Sequence, residues 1–173
     1  QGRPQAKDSV AAWATGISSD PQNVFQGIAT SRFSFIGNGK AISLDGTDDF
    51  MQIDNISIGT PYTAILAYKP SVSNNGRILS GDIALGADWL LGTWSDYSAS
   101  YFASGWVNMT NQNGTDGYIA AGTNNGTVST MFLNGTTLAQ QSYNGHWDAR
   151  LLIGGSRSDY AAESATGYLG ELV

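Results

Sequence analysis

Residues 41 to 55 read AISLDGTDDFMQIDN. On one side of the acids, Ile42 and Leu44 alternate with Ala41, Ser43 and Asp45; on the other, Met51 and Ile53 alternate with Gln52 and Asp54. A period of two puts each apolar set on one face of a half-buried β-strand. Between the two runs, Asp45-Gly46 and Asp48 have the chemistry of Asx-type turns, in which a short carboxylate bonds back to the backbone, and Asp49 opens the next strand. The stretch therefore reads as strand, acidic corner, strand, the corner of a β-hairpin.

The same alternation recurs along the chain. Strands are expected at 32–36, 40–45, 49–53, 61–69, 77–81, 88–94, 98–107, 116–122, 127–134, 136–142, 150–155 and 167–173, divided by clusters of Gly, Asn, Asp and Ser. Turn signals spaced every 8–12 residues or so indicate an all-β sandwich or barrel. In TMFLNGTTLA (130–139), Asn134-Gly135 suits a type I′ hairpin turn, which needs two residues tolerant of positive φ. KPSVSNNGRILS (69–80) reads as a second, looser hairpin around Asn74, Asn75 and Gly76. Ser9 to Ala14 suits a short helix or strand that tucks Trp13 against the body. No helical period follows residue 30.

The chain has 173 residues, the size of one domain. Only 13% of them are charged, so its polarity comes mainly from Asn, Ser, Thr and Gly. A net charge of -6 with eight scattered Lys and Arg provides no basic stripe for nucleic acid or an anionic membrane. The absence of cysteine excludes disulfides, thiol catalysis and Cys-based metal sites. No apolar run approaches the roughly 18 residues that span a bilayer.

Five phrases in order, GKAISLDGTDDFMQI (39–53), YTAILAYKP (62–70), STMFLNGTTLA (129–139), RLLIGGS (150–156) and GYLGELV (167–173), resemble the laminin-G-like, concanavalin A-like superfamily. The match runs from Gly37 to Val173, with a fainter echo near Trp13. DWLLGTW and ASGWV resemble a version found in surface and virion-associated proteins. The resemblance implies an antiparallel two-sheet β-sandwich of the jelly-roll type over 37–173, with residues 1–36 as an N-terminal segment packed on it. The chain departs from the family pattern at Leu66-Ala67-Tyr68, ahead of Lys69-Pro70, where a Trp is usual. It also stops where relatives continue, so it is expected to be part of a longer polypeptide.

Hydrolases of this superfamily need two carboxyl groups about 5–5.5 Å apart if retaining, supplied by acids at i and i+2 of one strand. The two glutamates, Glu163 and Glu171, have no such partner, and adjacent Asp48 and Asp49 point to opposite faces of a strand. His146 is the single histidine, without a G-x-S-x-G elbow, and reads as a solvated or packing residue. GNGK at 37–40 reads as a turn. The acidic corner has two readings: architecture, or a calcium site built from Asp45, Asp48 and Asp49 with neighbouring carbonyls. Sequons at Asn55, Asn108, Asn113, Asn125 and Asn134 mark exposed loops.

Aromatic rings stack on the C–H faces of sugars while Asp and Asn orient hydroxyls. Trp89 and Trp106, inside strands, read as core. Trp94, Tyr97 and Trp147, beside Gly, Ser and Asp, are the ligand candidates, together with Asp96, Asn144 and Asp148. The sequence thus points to a non-catalytic recognition module, extracellular, on a cell surface or on a virion, that binds a glycan or a surface protein. The alternatives are a structural capsid-decoration, fibre or surface domain, held in a homo-oligomer or larger assembly, and a glycoside hydrolase.

Overall fold

The computed structural model describes residues 12–14, 23–25, 34–36, 41–47, 50–56, 59–70, 76–86, 88–111, 117–146, 150–156 and 164–172. These residues form β1 (Ala12–Ala14), β2 (Asn23–Phe25), β3 (Ser34–Ile36), β4 (Ala41–Asp45), β5 (Met51–Asp54), β6 (Tyr62–Pro70), β7 (Leu79–Gly81) and β8 (Trp89–Trp94). They continue with β9 (Tyr97–Ala103), β10 (Trp106–Thr110), β11 (Tyr118–Asn124), β12 (Ser129–Leu133), β13 (Thr136–Gln141), β14 (Arg150–Ile153) and β15 (Thr166–Leu172). One turn of 3-10 helix, Ile83–Leu85, interrupts the β pattern. Among the described residues no helix is long and apolar enough to cross a membrane.

The strands make two antiparallel sheets. One has eight strands in the order β1-β2-β5-β14-β7-β8-β9-β10, the other seven in the order β13-β12-β11-β6-β15-β4-β3. Each sheet buries one face against the other, since a single-sided apolar sheet must find a partner layer. In β6, Tyr62, Ala64, Leu66 and Tyr68 are buried and alternate with more exposed neighbours. Met51, Ile53, Leu79, Leu91 and Ile153 face them from the eight-stranded sheet.

The Asn134-Gly135 hairpin forms as expected: Asn134 has φ 49° and Gly135 φ 81°, and Leu133 pairs with Thr136. The Asn134 side chain also accepts a 2.9 Å bond from the amide of Ile119, tying the turn to the neighbouring strand β11.

Several expectations need correction. The acidic corner is not a hairpin, because β4 pairs with β3 and β15 whereas β5 pairs with β2 and β14. It carries the chain from one sheet to the other. KPSVSNNGRILS is likewise a crossover: β6 and β7 lie in different sheets, and residues 71–75 lie outside the described part. The single strand expected over 98–107 is two strands, broken at Ser104-Gly105, where Ser104 takes φ 61°. The alternative at residues 9–14 resolves to strand β1; the packing of the Trp13 side chain lies outside the described residues.

Candidate functional site

A cleft of about 420 Å³ opens at one end of the sandwich. Among the described residues three chain segments line it: Leu85 and Asp88 between β7 and β8, Phe102 and Ser104 at the end of β9, and Asn144 and His146 in the loop after β13.

The loop owes its shape to its backbone anchors. The Tyr143 carbonyl accepts bonds from Asn124 Nδ2 at 3.0 Å and Ser129 Oγ at 2.8 Å. The Gly145 amide donates to the Ala103 carbonyl at 3.2 Å, and the Gly145 carbonyl accepts from the Tyr62 phenol at 2.7 Å. A Cβ at Gly145 would lie 2.2 Å from the Ala103 carbonyl carbon, so only glycine permits this approach. With Tyr143 and Gly145 tied down, the side chains of Asn144 and His146 remain exposed at the cleft.

Behind the loop lies a buried polar cluster. Trp89 Nε1 donates to the Tyr62 hydroxyl at 2.9 Å, and the Tyr62 and Tyr101 hydroxyls are 2.9 Å apart. A phenol has one proton, and Tyr62 gives its own to Gly145, so Tyr101 is the donor between the two rings. Trp89 packs edge-on against both, with ring centroids 6.2 Å from Tyr62 and 6.0 Å from Tyr101. Burial raises both phenols above their ordinary pKa, and the nearby Tyr101 raises Tyr62 further. The anchor stays protonated across physiological pH.

The second wall is set by an ion cluster. Asp82, fully buried, caps the 3-10 turn by accepting from the Ala84 amide at 3.0 Å. Its other oxygen accepts from Arg150 Nη1 at 3.1 Å, while Arg150 Nε donates to Asp54 at 2.5 Å. Gln52 completes the set by donating to Asp54 at 3.0 Å. This arrangement orients the segment that carries Leu85 and Asp88.

Asp88 in turn accepts from Arg77 Nη1 at 2.9 Å. The Arg77 guanidinium lies 4.9 Å from the centroid of the Trp94 ring. Trp94 sits 5.9 Å from Trp106, and Trp106 sits edge-on to Phe102 at 5.0 Å. Trp89 is core as expected, but Trp106 is not: it is half-buried among these outward rings. β10 begins at Trp106 after the unforeseen turn, which places Trp106 in register with Phe102 on the outer face.

Of the ligand candidates, Asn144 lies in the cleft and Trp94 reaches toward it through Trp106 and Phe102. Asp96 and Tyr97 are exposed at the β8–β9 turn, at the other end of β8 from Asp88, so the fold does not bring them to Asn144. Trp147 and Asp148 lie outside the described residues. Leu85, Asp88, Phe102 and Ser104 were missed by sequence reasoning. The Ser104-Gly105 pair was the available signal, since a turn there puts Phe102 at a strand end. At the acidic corner, Asp45 accepts a 2.7 Å bond from the Thr47 amide, the Asx turn expected. Asp48 and Asp49 lie outside the described residues, and among the described residues no group of three or more candidate metal ligands occurs.

A second, shallower groove of about 310 Å³ crosses the outer face of the seven-stranded sheet, between Ile119 and Tyr168. Among the described residues Lys69 is its one charged lining residue, so these supply few groups with which to orient a polar ligand.

The fold and cleft define the chain as an all-β domain of two packed antiparallel sheets with a polar and aromatic cleft at one end. No family model matches the chain, and no curated protein matches it at the sequence level. Among solved structures it is similar to domain 4 of AbnA, a GH43 extracellular arabinanase from Geobacillus stearothermophilus, in complex with arabinotriose. The two share 14% identity with a TM-score of 0.60, over 94% of this chain and 78% of that one. At this identity the likeness is one of fold.

Proposed function

We propose that the domain is a non-catalytic carbohydrate-binding module, extracellular or on a virion or cell surface, whose site is the cleft between Phe102 and Asn144. The observation that carries this reading is the pairing of an aromatic wall with polar groups on a backbone-anchored loop. Phe102 offers a surface for the C–H face of a sugar, and Asn144, Ser104 and His146 supply hydroxyl-directed donors and acceptors. Anchoring at Tyr143 and Gly145 lowers the ordering cost of binding. Asp88, a carboxylate lining the cleft, is held in place by Arg77, which suits it to orienting a hydroxyl. The arabinotriose in the similar arabinanase domain supports the ligand class.

The test is titration calorimetry with arabino-, xylo- and cello-oligosaccharide ladders, from disaccharide to hexasaccharide, in calcium and again in EDTA. Binding in both conditions, weakened by Asn144→Ala and Phe102→Ala, is expected. Binding lost in EDTA would move the site to Asp45, Asp48 and Asp49 and establish calcium as a ligand. Silence across all ladders sinks the reading.

A second reading rests on the other sheet. Ile119 is 57% exposed and Tyr168 40% exposed on one outward face, an apolar surface suited to a protein neighbour. A structural capsid, fibre or surface domain would use it for self-association, and sedimentation of the wild type against Ile119→Lys distinguishes an assembly from a monomer.

A further inference from the structure

The aromatic residues beside the cleft are not isolated. Phe102 is both a wall of the cleft and the first ring of a row that continues to Trp106 and then Trp94. Successive centroids are 5.0 and 5.9 Å apart, steps comparable to the length of one sugar unit. The row crosses the outer face of the eight-stranded sheet, where Leu90 pairs with Phe102 and Ser100 with Gly92. Leu90 and Ser100 are fully buried although they lie outside the inter-sheet core cluster, so other groups cover this part of the face. The rings are turned against one another, by 78° between Phe102 and Trp106 and by 40° between Trp106 and Trp94, so a glycan stacking along them would twist along its length.

The far end of the row is braced back to the cleft. Arg77, only 8% exposed, stacks on Trp94 and bonds to Asp88, a cleft residue. The brace holds the indole in one orientation and leaves Asp88, whose side chain is 55% exposed, as the polar group between the cleft and the rings. β10, which carries Trp106, is the terminal strand of its sheet, so the row lies at the sheet's edge. A monosaccharide would need only the cleft. The rings beyond it have the spacing and polarity to hold further units of a chain.

We propose that the cleft and the Phe102–Trp106–Trp94 row form one groove that binds an extended stretch of a linear glycan, several sugar units at a time, rather than a terminal monosaccharide. This rests on the carbohydrate reading of the cleft. A protein segment laid along the same rings is the competing occupant, and a glycan ladder separates the two.

The experiment uses the oligosaccharide ladders named above on the whole chain. Affinity should rise from disaccharide to tetrasaccharide and then level off. Trp94→Ala should weaken hexasaccharide binding about tenfold while changing disaccharide binding less than about twofold, and Trp94→Phe should retain part of the gain. Because an alanine variant can lose its fold, the indole N–H signals of wild-type Trp94 and Trp106 supply a second readout by NMR. They should shift with hexasaccharide and stay in place with disaccharide. Equal affinity across the ladder, or indole signals unmoved by hexasaccharide, overturns the extended groove and leaves the cleft intact. Failure of every ladder to bind overturns the cleft reading and the groove together, leaving the protein segment as the occupant to pursue.

Discussion

The phenol of Tyr62 donates a 2.7 Å hydrogen bond to the carbonyl of Gly145, a residue 83 positions further along the chain. Tyr62 opens β6 in the seven-stranded sheet, whereas Gly145 rests on the end of β9 in the eight-stranded sheet. One hydroxyl therefore couples core packing to the loop that presents Asn144 and His146.

Tyr62→Phe removes that donor from the buried Gly145 carbonyl and takes away the acceptor shared by Trp89 Nε1 and Tyr101, whose hydroxyl can still turn to the Thr123 carbonyl at 3.4 Å. A buried polar group left unpaired costs about 1–3 kcal/mol. Urea denaturation should show a loss in that range. Oligosaccharide affinity should fall as well, because the loop loses one of the anchors that hold Gly145 down. A variant as stable as wild type would remove Tyr62 from this role.

Gly145→Ala and Gly105→Ala form a contrasting pair. The new methyl at position 145 would meet backbone, 2.2 Å from the Ala103 carbonyl carbon; at 105 it would meet the ring of Tyr143 at 2.5 Å. Backbone cannot step aside, whereas the partly exposed Tyr143 ring can. Gly145→Ala should cost about 3 kcal/mol or more, and Gly105→Ala distinctly less. Thermal midpoints of the two variants, measured side by side, check the order.

Arg150→Met tests the second wall. It removes the arginine from fully buried Asp82, which keeps its bond from the Ala84 amide, and breaking a buried pair at one end typically costs about 3–5 kcal/mol. Arg150 is 24% exposed, so some of that is recovered from solvent and about 2 kcal/mol is the expected loss. Asp82→Asn keeps an acceptor for the Ala84 amide and should be milder. Chemical denaturation of both variants decides, and equal losses would discount the charge on Asp82.

Alkaline pH should destabilise the fold through its buried phenols. Burial raises the pKa of Tyr62, Tyr68 and Tyr101 above the ordinary value of about 10, with Tyr118 adding to the shift at Tyr68. The folded state then holds protons that the unfolded state releases. Their contribution is complete below pH of about 10 and is lost progressively as pH rises toward the folded values. Phenolate absorbance should show these three silent in the native protein and appearing together with unfolding. A smooth titration of all eight tyrosines while the fold persists would contradict this.

The sequence by itself determined the class of structure and many of its local devices. Alternation at Tyr62, Ala64, Leu66 and Tyr68 dictates a strand with one buried face, because the side-chain period of an extended chain is two. Asn134-Gly135 dictates its turn, since few other pairs accept φ of 49° and 81°. Asp45 dictates its Asx turn for a reason equally local. Which strand pairs with which is not local. Ile42 and Leu44 bury equally well whether the corner at Asp45 folds back as a hairpin or carries the chain to the other sheet, and only the packed core selects the second. Ser104 takes positive φ without being a glycine or asparagine, so the break between Phe102 and Trp106 carried only the weak local mark of Gly105. The candidate cleft depends wholly on such choices. Asp88, Phe102 and Asn144 meet because β8 and β9 are neighbours and the Tyr62 phenol draws Gly145 down onto Ala103. Those contacts exist only when the two sheets have closed on each other, because desolvation is what makes the bonds among Tyr62, Trp89 and Tyr101 worth forming.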